Sequence, residues 1–510
     1  MAKILVNLKK NAGTVDHKIF GHFLEHAFGN IYGGIYDPGN KNACSDGQRE
    51  DTVALLKKVK PSILRYPGGN FVSNYHWEDG IGPKEDRRKM FDYAWQAEES
   101  NQFGTADFIE LCRKLGAEPC LCVNMGSGTA EEAMHWVEYC NGTGDTYYAN
   151  LRRKHGYEQP FNVKYWGLGN EMYSDWQMCH MDAEEYAKAA FDFAKAMRWV
   201  DNSIKLIASG YEKNSDWNTV ILKKLNYLID YVSAHHYSCG WGIFDKNNYL
   251  ECMYIPEHMQ RLTDITVAAI MTATNDNCRS RIKVAWDEWN MYGWKIDGVT
   301  DDRNYDLQNA IVTASIINMF IRNCNTVGMA NYSAFINING AVRVEGDELV
   351  LRPQYHVFDL LSNNTGEIFY NSDVMCDNFT VVQPIDPKSL RQRPRLKLDN
   401  IDNNQDSLAT VPYIDAAVTG DHDGRVFISL VNKHPDEDID VKIDFYGEII
   451  SNTGNTAFEI YHEDVNAANT VSDPQAVVIR EIPAPNIADQ CCIFKAKKHS
   501  INLIRLNIKK

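Results

Sequence analysis

From about residue 15 to residue 365, short apolar runs alternate with longer stretches whose apolar positions recur every three or four residues. The short runs are Ile19–Phe23, Ile63–Tyr66, Cys120–Asn124, Tyr165–Gly169, Leu206–Gly210, Val232–His236, Val284–Trp289 and Gly328–Tyr332. They read as strands buried on both faces. The longer stretches predict helices. In Asp107 to Leu115 the residues Phe108, Leu111 and Leu115 fall together; in Ala183 to Val200 one side carries Tyr186, Ala190, Phe193, Met197 and Val200. In Leu307 to Arg322 the apolar side is Ala310, Ala314, Ile317 and Ile321. Asp182 with Glu185 three residues on reads as a capping box, and Ser127 or Thr129 as the cap of a further helix. Eight such units predict a closed (β/α)₈ barrel over residues 15–365, with a doubly wound open sheet as the alternative.

After about Leu361 the helical spacing stops. Phe379–Pro384, Asp415–Thr419, Val426–Asn432, Ile439–Phe445, Ala457–Tyr461 and Ala476–Arg480 are short, β-branched or aromatic, and bounded by Gly, Asn, Asp and Pro. They predict an additional all-β sandwich domain, antiparallel and jelly-roll-like, over residues 366–510. Lys3–Lys9 alternates in character and is expected to add a strand, so residues 1–14 are assigned to the same domain. The basic stretch Pro387–Lys397 is expected to be a surface loop.

Composition narrows the function classes. The 510 residues are 44% hydrophobic and 24% charged, with a net charge of −16. Lys and Arg are dispersed, which argues against a nucleic-acid-binding face, and no run of eighteen apolar residues offers a membrane span. The apolar run within Met1–Lys10 is too short for a signal-peptide core, so a cytoplasmic location is expected. The 13 cysteines, odd in number and partly inside apolar runs, read as buried thiols. Their spacing lacks the paired pattern of a zinc site, Pro67-Gly68-Gly69 lacks the Lys and helix of a nucleotide loop, and no G-x-S-x-G elbow occurs. No metal and no cofactor is expected.

Polar and aromatic residues collect where the predicted strands end, which is the catalytic face of such a barrel. In order these are Glu25 and His26, Arg65 with Asn70, Asn124, Asn170-Glu171, Tyr211-Glu212, His235-His236-Tyr237, Asp287-Glu288 and Asn331, with Trp77, Trp176 and Trp289 nearby in sequence. A lone strand-terminal Glu is more often a solvated edge residue. Two of them, Glu171 and Glu288, each following an apolar strand and flanked by Trp and Asn, point instead to paired carboxylates. Hydrolysis of a glycoside with retention needs one carboxylate as nucleophile and another as acid, then base, about 5 Å apart. The pair is expected to differ in pKa, with the ionised nucleophile raising its partner. Asp287 is the alternative nucleophile, although strict alternation would turn it into the helix layer.

Several strings also resemble a known family. Gly21-His22-Phe23-Leu24-Glu25-His26, Ile31–Tyr36, Leu64-Arg65-Tyr66-Pro67-Gly68-Gly69-Asn70-Phe71, Trp77–Pro83, Gly167–Met172 and Asp287-Glu288-Trp289-Asn290 are similar to the intracellular α-L-arabinofuranosidases of glycoside hydrolase family 51. The resemblance implies a retaining, metal-independent exo-enzyme that releases terminal L-arabinofuranose from arabinan, arabinoxylan or their oligosaccharides, commonly as a hexamer. It implies Glu171 as acid/base and Glu288 as nucleophile. Glu25, Asn70, Asn170, His235, Tyr237 and Trp77 become substrate-binding residues, with Arg65 and Asn331 in support. Two departures stand out: Ala334 replaces a sugar-contacting Gln, and Met291–Trp294 differs from the usual aromatic pairing. Ala334 is expected to leave room for a larger ring or a water. The rivals are a retaining β-xylosidase or endo-β-glucanase on the same barrel, and a silent carbohydrate-binding protein.

Overall fold

The computed structural model describes residues 1–240, 243–294, 304–384 and 408–509. The expected loop Pro387–Lys397 lies outside the described residues.

Eight parallel strands close into a barrel: Gly21–Phe23, Ile63–Tyr66, Glu118–Val123, Tyr165–Leu168, Lys205–Ala208, Tyr231–Cys239, Lys283–Tyr292 and Val327–Tyr332. Each overlaps one of the expected runs. Ile63, Cys120, Tyr165, Ile207, Ala285 and Met329 form one apolar cluster, a ring contributed by six of the strands. Side chains two residues further along point to the same face of a strand. That next ring holds Arg65, Cys122, Gly167, Asp287 and Asn331, all buried.

One strand breaks the alternation. Between its Ala285 and Glu288 the register against Tyr231–Cys239 shifts, since Ala285 pairs with Ser233 and Glu288 with His235. Three steps on one strand oppose two on the other, which is the signature of a β-bulge. The extra residue lets Asp287 and Glu288 both reach inward. The expectation that Asp287 faces the helix layer is therefore overturned.

The helices form as their sequence signals require. Asp182 accepts from the Glu185 amide and Glu185 from the Asp182 amide, closing the capping box of Ala183–Val200. Thr129, not Ser127, caps Ala130–Asn141. Leu307–Arg322 departs from its one-sided pattern, because every residue from Leu307 to Ile321 is buried. Its second face lies against the β-sheet domain, where Asn318 and Arg322 both bond Asp415.

That domain is a single hydrogen-bonded sheet of nine strands, in the order Ile479–Ile482, Thr456–Ile460, Ser500–Asn507, Arg425–Asn432, Ile414–Gly420, Ile368–Met375, Ala2–Thr14, Ile439–Tyr446 and Cys491–Ala496. Residues from both halves of this order meet in one apolar cluster, so the sheet folds over its own core. The N-terminal strand is integral to it, running antiparallel to Ile368–Met375 but parallel to Ile439–Tyr446, so the sheet is not purely antiparallel. The expected strand at Phe379 stands apart, as Asn378–Val382 pairs only with Leu408–Pro412.

Candidate active site

The barrel's C-terminal rim gathers three carboxylates and two cations. Arg65, 2% exposed, donates from Nη1 to Glu288 Oε2 at 2.7 Å and from Nη2 to Asn170 Oδ1 at 2.6 Å, while its Nε lies 3.5 Å from Asp287 Oδ2. Its guanidinium covers the Phe23 ring at 4.7 Å. Burial works against its charge, but Asp287 and Glu288 outweigh that and push the pKa up. The second oxygen of Glu288 accepts from the Tyr237 hydroxyl at 2.6 Å. Burial and then the Glu288 charge hold that phenol well above its ordinary pKa, so it remains a donor. Glu288 is thus gripped at both oxygens and held in one orientation.

Glu171 stands across the mouth. Its backbone has φ of 45°, a left-handed conformation that costs a side-chain-bearing residue about 1–3 kcal/mol and persists where the surroundings impose it. Oε1 lies 2.9 Å from His235 Nδ1, and Oε2 accepts from the Trp176 indole at 2.9 Å. His235 also faces Asp287 Oδ1 at 3.3 Å and Glu288 Oε2 at 3.6 Å. Burial disfavours charge on this ring, yet Glu288, Asp287 and Glu171 together lift it well above the ordinary histidine value. Burial would likewise raise Glu171, but the His235 bond and charge, with Trp176 and Arg65, hold it below the ordinary glutamate value. The expectation of a raised Glu171 is reversed in the free protein, because a cation sits between the two carboxylates.

Glu25 completes the floor. Its Oε1 accepts from the Phe71 amide at 2.9 Å and the Trp95 indole at 3.0 Å. Burial, reinforced by the Glu288 charge, raises its pKa to about 8, so it is protonated at neutral pH. Gly69 explains how these groups share one space: a Cβ there would meet Glu25 Oε2 at 3.3 Å and Glu288 Oε2 at 3.4 Å. Asn170 leaves its Nδ2 buried and without a hydrogen-bond partner, a donor that a bound hydroxyl would satisfy. Asn70 is half-buried beside Gly69 and opens the short helix that brings Phe71 to Glu25. An apolar wall rises from Phe23, Phe28, Trp95 and Trp294, the two indoles stacked at 5.6 Å.

Two family models match the chain, the α-L-arabinofuranosidase 1 domain at residues 55–251 and the α-L-arabinofuranosidase C-terminal domain at residues 287–500. A probable α-L-arabinofuranosidase C of Aspergillus fumigatus is 34% identical over 98% of this chain and 96% of its own length. The chain belongs to the α-L-arabinofuranosidases of glycoside hydrolase family 51. An intracellular exo-α-(1→5)-L-arabinofuranosidase of Bacillus subtilis is 31% identical over 92% of this chain and 91% of its own length. The crystal structure of the Thermotoga maritima α-L-arabinofuranosidase in an arabinose complex superposes with a TM-score of 0.88 at 35% identity, covering 99% of this chain and 100% of that one.

Within this family member, some expected site residues lie elsewhere. Trp77 is packed in the core: its ring stacks on Trp136 and its indole donates to the Glu132 carbonyl at 3.0 Å. It is not brought to the carboxylates, because the adjacent helix Ala130–Asn141 claims both its ring and its N–H. Asn331 sits inside the barrel, with its Oδ1 2.8 Å from where a Gly21 Cβ would lie, and its amide makes no hydrogen bond to the carboxylates. Trp289 points outward onto Phe320 and Tyr332. His26 is wedged behind the floor between Tyr66 and Glu99. His236 packs outside the barrel against His258. Ala334 is fully buried in an apolar cluster with Phe23, Trp294 and Ile338. Trp95 and Ser333 are site residues that the sequence did not single out; the Ser333 hydroxyl lies 2.6 Å from Tyr237 Oη and accepts from the Trp294 indole at 2.9 Å.

Among the described residues, Glu171, His235 and Glu288 form the group whose ligand atoms lie close enough to hold a metal ion, within 4.8 Å of one another. A protonated His235 already satisfies both carboxylates and would have to release its proton to bind a cation.

Proposed function

We propose that this protein is a retaining exo-α-L-arabinofuranosidase, with Glu288 as nucleophile and Glu171 as acid/base. One observation carries the reading: oxygens of the two carboxylates approach within 4.8 Å, with His235 between them. Roughly 5–5.5 Å suits a direct attack and a covalent glycosyl-enzyme, whereas an inverting pair stands about 6.5–9.5 Å apart to admit a water. Arg65 and Tyr237 keep Glu288 ionised and aimed at the anomeric carbon. Glu171 protonates the departing oxygen, then takes a proton from the water that releases the sugar. Protonated Glu25 donates to one sugar hydroxyl, the free amide of Asn170 to another, and Asn70 lines the same space. The stacked indoles of Trp95 and Trp294 exclude water from the reacting face, which strengthens each of these contacts.

Arabinan, arabinoxylan and their oligosaccharides are the substrates that this reading implies, and the names of the Aspergillus and Bacillus relatives support the glycone. The Bacillus relative is named intracellular, which supports a cytoplasmic location, and no helix among the described residues is long and apolar enough to cross a membrane. Assembly as a hexamer of one chain, without nucleic acid as a partner, belongs to the same proposal on the ground of family resemblance. Initial rates on aryl α-L-arabinofuranoside, aryl β-D-xylopyranoside and aryl β-D-glucopyranoside at matched concentration test the glycone. The arabinofuranoside is expected to dominate; a preferred pyranoside overturns the reading.

A further inference from the structure

Asp287 takes no part in the double displacement, yet it is only 3% exposed and, two residues past Ala285 of the apolar ring, faces into the site beside Glu288. A buried third carboxylate beside two others is costly unless it is paired. Its partners are the two cations: Oδ1 lies 3.3 Å from His235 Nε2 and Oδ2 lies 3.5 Å from Arg65 Nε. The imidazole is therefore faced by carboxylate oxygen at both ends, because Nδ1 lies 2.9 Å from Glu171 Oε1 and 3.6 Å from Glu288 Oε2. A neutral ring would turn one lone pair toward a carboxylate, so only the doubly protonated ring satisfies both ends. The other charged or titratable groups about it are Arg65 from the second barrel strand, Tyr237 from its own strand, and buried Glu212 after the fifth.

We propose that Asp287 is a positioning residue that keeps His235 as an imidazolium, and that the Nδ1 proton of this ring is the store from which Glu171 draws the proton it gives to the leaving group. The inference rests on the arabinofuranosidase reading above. In the free enzyme the proton is on Nδ1 and Glu171 is a carboxylate. As the glycosidic bond breaks, the N–H bond breaks too, and the proton passes through Glu171 to the departing oxygen. His235 is left neutral, its Nε2–H toward Asp287. At the same step Glu288 becomes an ester and its charge disappears from beside Nδ1, which removes one reason for the ring to stay charged. In the second half Glu171 takes a proton from the attacking water and returns it to Nδ1, so the cycle closes with no net gain or loss.

The test compares wild type with Asp287→Asn on two aryl α-L-arabinofuranosides, one with phenol and one with dinitrophenol as leaving group, across the pH range. The alkaline limb of kcat/KM for the phenyl substrate should move toward acid by at least about one pH unit, a tenfold loss on that limb. The dinitrophenyl substrate needs no proton donor and should stay within about threefold of wild type at every pH. Nitrogen NMR of His235, assigned by its absence in His235→Gln, should show an imidazolium persisting well above neutral pH in wild type and not in Asp287→Asn. An unmoved limb, or equal slowing of both substrates at every pH, overturns the proposal. So does a wild-type His235 that titrates near the ordinary histidine value, a measurement that stands even if the variant does not fold. Failure of the underlying reading looks different: wild type would hydrolyse neither arabinofuranoside, or a mechanism-based label would land away from Glu288, while the NMR would still report whether Asp287 sets the charge on His235.

Discussion

Two rings of side chains fill the barrel, one above the other, and they could hardly differ more. In the lower ring Ile63, Cys120, Tyr165, Ile207, Ala285 and Met329 form one apolar cluster, with Tyr231 packed against it. Two residues further along the same strands, Arg65 and Asp287 are paired ions and Asn331 is a buried amide. Burial hardly changes between them. The lower ring stabilises by removing apolar surface from water, whereas the upper one places costly charges that persist because each is held by opposite charge. Stability and chemistry are separated by a single pleat.

Substitutions in the two rings and on the rim above them should therefore fail in different ways. The largest loss is expected for Glu288→Ala, with kcat/KM falling by about 10⁴-fold or more and no covalent intermediate trapped. Arg65 keeps Asp287 and Asn170 as partners there, so the melting temperature should drop far less than the activity. Glu171→Ala should slow phenyl arabinofuranosides by about 10²–10⁴-fold yet largely spare dinitrophenyl ones, and equal slowing of both would remove it as acid/base. Met329→Ala, in the lower ring, should reverse the pattern, costing about 2–5 kcal/mol in denaturant unfolding while kcat of the folded enzyme stays near wild type.

The subtlest change is Glu25→Gln. The folded carboxyl titrates near 8 against an unfolded value of 4.5, so between those limits the folded state holds a proton that the unfolded state has lost. Stability from this group is fully present below pH 4.5 and declines until pH 8. Glu25→Gln should flatten that decline, and melting temperatures measured at both ends of the window check it. An unchanged slope would mean that Glu25 is ionised in the folded protein.

The barrel was legible because both-face burial writes strands as unbroken apolar runs, and Glu171 and Glu288, which the structure brings within 4.8 Å, stood out because a carboxylate after such a run is conspicuous. The inward turn of Asp287 was not legible. Alternation counted back from Glu288 turns Asp287 outward, and the bulge that lets both face inward depends on how Lys283–Tyr292 pairs with its neighbour. Trp77 and Trp95 show a second limit. Both are indoles among polar residues, and only tertiary packing decides that one donates to a helix carbonyl and the other to Glu25. Leu307–Arg322 shows a third: its Asn, Thr and Ser positions mimic a solvent face, but all are buried, Asn318 bonding Asp415 of the β-sheet domain and Thr313 bonding Asn309 one turn back.

That last helix has a consequence for how the gene can be divided. Buried along nearly its whole length, it is shared flooring between barrel and sheet, and Phe427, Val431, Ile501 and Leu503 of the sheet belong to the same apolar cluster as the helix. Residues Ala2–Thr14 are meanwhile woven into the sheet that the C-terminal strands complete, as their pairing with Ile368–Met375 requires. Cutting between the halves would expose the apolar face of this helix and take a central strand out of the sheet.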